Sequence, residues 1–135
     1  MKKYIRSLYL LTKKSYDINE IPVGSIVIYK DKIIGKGYNN RQSKHNVCGH
    51  AEVNAIIAAE KYIGDWRLND CILISTLHPC KMCQKIIEES RISKVYYIYP
   101  QDNCLNKSYE QIYFPGNNYC KKIGEMFSNF FKNMR

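Results

Sequence analysis

The chain has 135 residues, of which 45% are hydrophobic and 24% are charged. This length favours one domain, since domains hold roughly 100–200 residues, and the composition excludes wholesale disorder and coiled coil. No apolar run approaches the ~18 residues that span a bilayer. The N-terminal stretch MKKYIRSLYLLTKK lacks the small-residue cleavage site of a signal peptide. We therefore expect a single domain over residues 1–135 that stays in the cytoplasm.

The charge balance is strongly basic, with 21 Lys and Arg against 12 Asp and Glu, a net charge of +9. Such a charge favours a polyanionic partner, because each phosphate that is neutralised releases a counterion. Most of the basic residues are Lys, and the chain is rich in Ile, Asn and Tyr, as an AT-rich genome would encode. Charge alone therefore leaves nucleic-acid binding and genome bias open.

The predicted elements alternate between helices and strands. In chain order they are a helix over 3–15, strands over Gly24–Tyr29 and 33–38, a loop over 39–47, a helix over 49–62, a strand over 71–77, a helix over 79–90, a strand over 95–99 and a helix over 121–135. The helices rest on apolar residues at helical spacing, and the strands on β-branched residues. In the second helix we expect Val53, Ile56, Ile57 and Ala59 to make apolar contacts. Residues 101–120 predict no element. The order implies an α/β fold, a mixed sheet with helices on both faces.

The motif with the clearest chemistry is His50-Ala51-Glu52 followed by Pro79-Cys80-Lys81-Met82-Cys83. One imidazole and two thiolates supply three zinc ligands and leave a fourth position for water, which is typical of a catalytic zinc site. All three residues fall at predicted helix starts, where the partial positive charge stabilises thiolates. We predict that His50, Cys80 and Cys83 hold one Zn²⁺.

Glu52 lies two residues after His50, so it should reach a zinc-bound water rather than the metal. Zinc lowers the pKa of such a water to about 7, and a nearby carboxylate can take its proton and return it to a leaving amine. The two motifs match the H-x-E…P-C-x-x-C signature of zinc deaminases that act on nucleobases. We predict that Glu52 is the catalytic residue.

Other interpretations of these residues stay open. His50 could be an ordinary histidine at a helix start, Cys80 and Cys83 could be a redox pair, and Cys48 could compete as a ligand. His78, beside the ligands, could face the pocket. The cysteines outside the motif are expected to be core or incidental residues: Cys48, Cys71, Cys104 and Cys120.

The chain resembles the bacterial tRNA-specific adenosine deaminases of the cytidine deaminase-like superfamily. The resemblance lies in blocks in family order: residues 21–24 (IPVG), 32–39 (KIIGKGYN), 50–52 (HAE), 64–71 (GDWRLNDC), 75–83 (STLHPCKMC) and 90–95 (SRISKV), with 130–135 (FFKNMR) at the end. It implies a three-layer sandwich around a mixed sheet. It also implies a homodimer that converts adenosine to inosine at the wobble position of a tRNA anticodon stem-loop.

The resemblance also implies residue roles at the substrate. Asn39 would contact the flipped nucleoside, while Ile21, the Ala51 backbone and Leu77 would line the base pocket. Lys132 and Arg135 would touch the RNA backbone, or simply form a solvated helix end.

Two departures from the family bear on the substrate. His78 stands where the family has an acid, and the segment after the fourth strand lacks the family's Gly-Ala-Arg-Asp and is shorter. The same zinc chemistry on a free base, a nucleoside or single-stranded DNA is therefore the alternative. A non-catalytic RNA-binding subunit is disfavoured, because such a subunit would be expected to lose the proton shuttle, and Glu52 is present.

Overall fold

The computed structural model describes residues 2–100, 110–113 and 118–133. Its elements are α1 (Lys2–Asp17), β1 (Gly24–Tyr29), β2 (Lys32–Tyr38), α2 (Ala51–Ile63), β3 (Ile72–Leu77), α3 (Lys81–Glu89), β4 (Lys94–Tyr99), β5 (Glu110–Tyr113) and α4 (Asn118–Asn133). All the helices and strands that the sequence predicts are present, with small shifts at their ends. The additional element is β5, which lies in the segment where the sequence predicts nothing.

The strands form one mixed sheet in the order β2-β1-β3-β4-β5. β1 is antiparallel to both β2 and β3, whereas β4 is parallel to both β3 and β5. Because β2 and β3 both oppose β1, their carboxyl ends and the beginning of β1 lie at the same edge of the sheet. The chain segments that lead into α2 and α3 start from that edge, and it is there that the candidate site forms.

Helices cover both faces of the sheet, as the sequence predicts. On one face α2 and α3 bury Ile56 and Ile87 together with Val27 of β1 and Leu73 of β3. On the other face the residues that alternate with these along the strands, such as Ile26, pack with side chains of α1 and α4. The alternation of strand side chains thus gives two apolar cores, one on each side of the sheet.

Three details differ from the sequence-based expectations. Ile57 of α2 was expected to make apolar contacts, but it is 45% exposed, whereas Val53, Ile56 and Ala59 are buried. Helix α3 begins at Lys81 rather than at Pro79, because Cys80 has extended backbone angles and acts as its N-cap. Helix α4 begins at Asn118, three residues earlier than predicted. The last two residues of the predicted helix, 134 and 135, lie outside the described residues, as does Cys104.

Within the described part of the chain, no helix is both long and apolar enough to cross a membrane.

Candidate zinc and nucleobase site

The three predicted zinc ligands come together at the starts of two helices. His50 is the N-cap of α2, Cys80 is the N-cap of α3, and Cys83 lies in the first turn of α3. The His50 Nδ1 atom is 3.7 Å from the Cys80 sulfur and 3.6 Å from the Cys83 sulfur. All three ligand atoms lie within 4.8 Å of one another.

These separations fit a zinc ion. Zinc binds sulfur at about 2.3 Å and nitrogen at about 2.1 Å in a tetrahedron, which places a sulfur and a nitrogen about 3.6 Å apart. The measured nitrogen–sulfur distances have this value. Of the four positions around a tetrahedral zinc, these atoms would fill three, which would leave one position for a water or a substrate atom.

The electrostatics of the cluster also suit a cation. Hydrogen bonds from Cys83 and His50 lower the pKa of Cys80 to about 4, so that Cys80 is a thiolate at neutral pH. The bond to Cys80, followed by burial, raises the pKa of Cys83. The bond to Cys80 likewise raises the pKa of His50, although burial opposes the change. One negative charge is therefore stabilised among the ligand atoms, and a metal cation would stabilise a second.

Glu52 is held in the first turn of α2 with only 4% of its surface exposed. Its Oε1 atom accepts a hydrogen bond of 2.8 Å from the Ser75 hydroxyl. Its carboxylate lies close enough to Cys83 to contribute to the raised pKa of that thiol. Glu52 also lines a pocket beside the ligands, which is where a group that exchanges protons with a bound substrate must lie.

That pocket, which we call the zinc pocket, has a volume of about 210 Å³. This is smaller than the roughly 300–1,000 Å³ of sites for drug-sized ligands, so the pocket suits a single base. Its wall contains all four residues to which the resemblance gave substrate roles: Ile21, Asn39, Ala51 and Leu77. The other residues of the wall are Val23, His50, Glu52, His78 and Cys80. The edge of the sheet explains the grouping, since Ile21 precedes β1, Asn39 follows β2 and Leu77 ends β3.

His78 lies in the wall of the zinc pocket and is 3% exposed. Its ring packs edge-on against Tyr97, with centroids 4.8 Å apart. Its backbone N–H donates a hydrogen bond of 2.8 Å to the Tyr99 carbonyl. The residue that departs from the family pattern is therefore a fixed part of the pocket wall.

The loop between β2 and α2 is held by side chains from two directions. Asn54 of α2 donates hydrogen bonds to the Tyr38 carbonyl and to the Asn40 side chain, each 3.0 Å long. From the opposite side, the Glu20 carboxylate accepts the Gln42 N–H at 2.9 and 3.0 Å, although Glu20 is only 2% exposed. These contacts fix the loop that carries Asn39 into the pocket.

Asn39 is itself fixed by the segment that precedes β1. Its side-chain amide donates to the Ile21 carbonyl at 3.2 Å, and its backbone N–H donates to the Val23 carbonyl at 3.1 Å. These bonds hold Asn39 against the segment that leads into β1, in the wall of the zinc pocket.

A larger groove of about 660 Å³ adjoins the zinc pocket and shares Ile21 and Asn39 with it. Arg41 lies on the loop side of this groove, and Phe130 and Phe131 of α4 lie on the other. Phe131 is 50% exposed. The groove thus combines aromatic rings with a cation directly beside the zinc pocket.

Sequence reasoning did not single out Ser75, Glu20 or Asn54. Ser75 carries a faint signal, since Ser75 and Thr76 are the polar residues of the otherwise apolar strand β3, but the partner of Ser75 depends on how the strands pair. Glu20 and Asn54 carry no such signal. Their partners lie 22 and 14–16 residues away along the chain, and only the fold brings them together.

Comparison with known proteins agrees with the motif. Residues 1–99 match the family model described as the cytidine and deoxycytidylate deaminase zinc-binding region. The tRNA-specific adenosine deaminase of Buchnera aphidicola subsp. Baizongia pistaciae is 30% identical over 145 aligned positions, which cover 99% of this chain and 90% of that protein. The enzyme of the same name from Rickettsia typhi is 40% identical over 85 residues, covering 62% of this chain and 57% of that protein.

Solved structures share the fold. A structure from a study of A-to-I editing by tRNA:A34 deaminases superposes with a TM-score of 0.78 at 20% identity, covering 84% of this chain and 98% of that one. The guanine deaminase of Bacillus subtilis superposes with a TM-score of 0.69 at 30% identity, covering 74% and 64%. The predicted three-layer α/β fold is therefore confirmed.

The family match spans most of the chain, the Buchnera relative aligns over nearly all of it, and a His/Cys/Cys cluster with zinc-like spacing stands at the helix starts. The chain therefore belongs to the zinc-binding cytidine and deoxycytidylate deaminase family, as a relative of the tRNA-specific adenosine deaminases.

Proposed function

We propose that this chain, as one domain over residues 1–135, deaminates adenosine to inosine at the wobble position of a tRNA anticodon loop, in the cytoplasm. The observation that carries the proposal is the continuity of the zinc pocket with the larger groove. A single base fits the pocket, and the groove beside it offers room for neighbouring nucleotides. The relatives named above support the choice of tRNA.

In this proposal His50, Cys80 and Cys83 hold one zinc ion per chain. Zinc, when bound, would lower the pKa of its water ligand to about 7, so that hydroxide is available near neutral pH. The Glu52 carboxylate would take a proton on one oxygen and return it to the amine that leaves as ammonia. Asn39 would hydrogen-bond the nucleoside, and Ile21 with the other walls of the zinc pocket would exclude water from the base.

The groove suits a single-stranded RNA loop for chemical reasons. Unstacked bases of such loops stack on aromatic rings, which Phe130 and Phe131 offer. Phosphates are held by cations, which Arg41 offers at the pocket mouth. In the described part of the chain, Arg41 forms no ion pair with a carboxylate. A free base would occupy the zinc pocket and leave the groove unused.

The test is deamination by the purified, zinc-loaded protein. Substrates are an anticodon stem-loop with adenosine at the wobble position, its DNA analogue, adenosine, cytidine and guanine. We expect inosine in the RNA stem-loop alone. Turnover of guanine or of a nucleoside, with the stem-loop untouched, would contradict the tRNA substrate and favour the small-molecule alternative. The similarity to a guanine deaminase is the observation that favours this alternative.

Glu52→Ala is the control for this assay. We expect it to lower kcat by about 10²–10⁴-fold, the usual contribution of a general acid–base. It should keep its zinc, because Glu52 is not one of the three ligand residues. Loss of zinc from Glu52→Ala, measured by atomic emission, would show that the role proposed for Glu52 is wrong.

We also propose that the protein is a homodimer. An apolar surface at α2 and α3 exposes Ile57, together with Trp66 from the segment after α2, over the buried Val53 and Ile56, and Glu60, Lys85 and Glu89 share its lining. Ile57 and Trp66 are 45% and 49% exposed in one chain. A two-fold axis through this surface would bury both and bring charges of opposite sign together. Light scattering should give twice the mass of the chain for the wild type and a monomer for Ile57→Asp, and a wild-type monomer would refute the dimer.

A further inference from the structure

Two buried serines form a chain of hydrogen bonds that ends on Glu52. The Ser25 hydroxyl of β1 donates to the Ser75 hydroxyl of β3 at 2.9 Å, and the Ser75 hydroxyl donates to Glu52 Oε1 at 2.8 Å. Both serines are 0% exposed and Glu52 is 4% exposed. This chain of hydrogen bonds therefore lies inside the protein, beneath the first turn of α2.

The strand register creates this arrangement. Ser25 and Ser75 are directly opposite each other in the antiparallel pair of β1 and β3, so both side chains point to the same face of the sheet. Ser25 is also opposite Gly37 on β2, where the first turn of α2 packs closely against the sheet. The packing of α2 on the sheet thus places Glu52 directly over the two serine hydroxyls.

The direction of the hydrogen bonds follows from chemistry. A carboxylate oxygen accepts hydrogen bonds, so the Ser75 hydroxyl is the donor in its bond to Glu52 Oε1. The Ser75 oxygen is then free to accept a hydrogen bond, and the Ser25 hydroxyl donates it. Each bond strengthens the next, because the donor that accepts a hydrogen bond is polarised by it.

We propose that Ser75, supported by Ser25, is a positioning residue for the carboxylate of Glu52. The Ser75 bond anchors Oε1, which fixes the rotation of the carboxylate and directs Oε2 to the proton transfers in the zinc pocket. The inference rests on the proposed role of Glu52. It does not depend on which nucleobase the enzyme accepts, since every substrate of the zinc pocket would meet the same carboxylate.

The test is a double-mutant cycle on zinc-loaded protein with whichever substrate the wild type converts. Ser75→Ala should lower kcat about tenfold, the size of one hydrogen bond to a charged group, with KM changed less than twofold. Ser25→Ala should lower kcat about threefold. The double variant should match Ser75→Ala within about twofold, because Ser25 acts only through Ser75.

Ser90→Ala is the matched control. Ser90 is also a buried serine, 4% exposed, whose hydroxyl donates to a carbonyl, that of Ile87, at 2.7 Å. It lies at the far end of α3 from the ligands. We expect Ser90→Ala to lose stability in a thermal melt and to keep the kcat of the wild type.

The double variant also guards against misfolding. Ser75→Ala alone leaves the buried Ser25 hydroxyl without its acceptor, whereas removal of both serines leaves no orphaned hydroxyl. The double variant should therefore melt at a higher temperature than Ser75→Ala while its kcat stays low. Recovery of kcat together with stability would overturn the proposal.

Two results separate this inference from the proposed function. If Glu52→Gln keeps the wild-type kcat, the role of Glu52 is wrong and the inference falls with it. If Glu52→Gln abolishes turnover while Ser75→Ala and the double variant retain full kcat, only the positioning role is wrong. Independent, multiplicative effects of the two serine substitutions would likewise overturn the chain from Ser25 through Ser75.

Discussion

Gly37 is where a single added methyl group should displace helix α2, which carries Glu52. It lies in β2, opposite the first turn of α2, which carries Ala51 and Glu52. A Cβ at this position would lie 2.5 Å from the Ala55 nitrogen and 2.9 Å from the Asn54 Cβ, and closer still to the Ala51 carbonyl oxygen. Two of these neighbours are helix backbone, so no side-chain rotation can relieve the contacts.

The size of the effect follows from these distances. Carbon atoms in contact are normally about 3.5–4.0 Å apart, so the start of α2 has to move by roughly 1 Å to admit Gly37→Ala. Overpacking of this kind costs about 1–3 kcal/mol, which for a domain of this size lowers Tm by roughly 4–11 °C. A 1 Å misplacement of catalytic groups costs on the order of 10²-fold in rate.

The assay compares Gly37→Ala with Gly64→Ala at the other end of α2. Gly64 has φ +80° and no atom within 4 Å of an added Cβ, so its substitution costs about 1–2 kcal/mol through the backbone alone. Gly64→Ala should lower Tm and leave kcat unchanged, while Gly37→Ala should lower both. A Gly37→Ala protein with wild-type Tm and kcat would refute the reasoning, and a loss of Tm without loss of kcat would show that the helix shift does not reach Glu52.

Three further predictions concern the ligands and the substrate groove. Cys80→Ala and Cys83→Ala should lose zinc and melt at lower temperature, whereas Cys48→Ala, at an exposed position, should keep both; a full zinc content in either ligand variant would contradict the ligand set. Zinc should be released as the pH falls from 7 towards 4, because protons compete with the metal for His50 and Cys83, whose pKa values are raised by their bonds to Cys80, and for Cys80 itself only near pH 4, where its own pKa lies. A metallochromic chelator measures this release, and a zinc affinity independent of pH would argue against these ligands. Arg41→Gln should raise KM for the RNA stem-loop and reduce the salt slope of binding by about 1, with kcat unchanged; an unaltered salt dependence would exclude a phosphate contact.

Local sequence patterns predicted most elements because their causes are local. The helical spacing of Tyr4, Ile5 and Leu8 and the β-branched run of β1 act within a few residues, and the structure buries them as expected. The strand β5 has only four residues and depends on parallel pairing with β4, which is not encoded in its own sequence. Helical spacing likewise predicts apolar contacts for Ile57, which is 45% exposed, because tertiary packing decides which positions of α2 are covered.

The sequence by itself determined the type of site. The order His50, Glu52, Cys80 and Cys83, at helix starts, specifies three ligands and one carboxylate, because ligand chemistry and helix capping depend on residue type and spacing. Only the tertiary structure decided how that site is supported. Strand register places Ser25 against Ser75 and under Glu52, and the packing of α4 brings Phe130 and Phe131 to the groove that adjoins the zinc pocket. These contacts join residues tens of positions apart, and which of the possible pairings forms is set by burial of the whole sheet rather than by any local pattern.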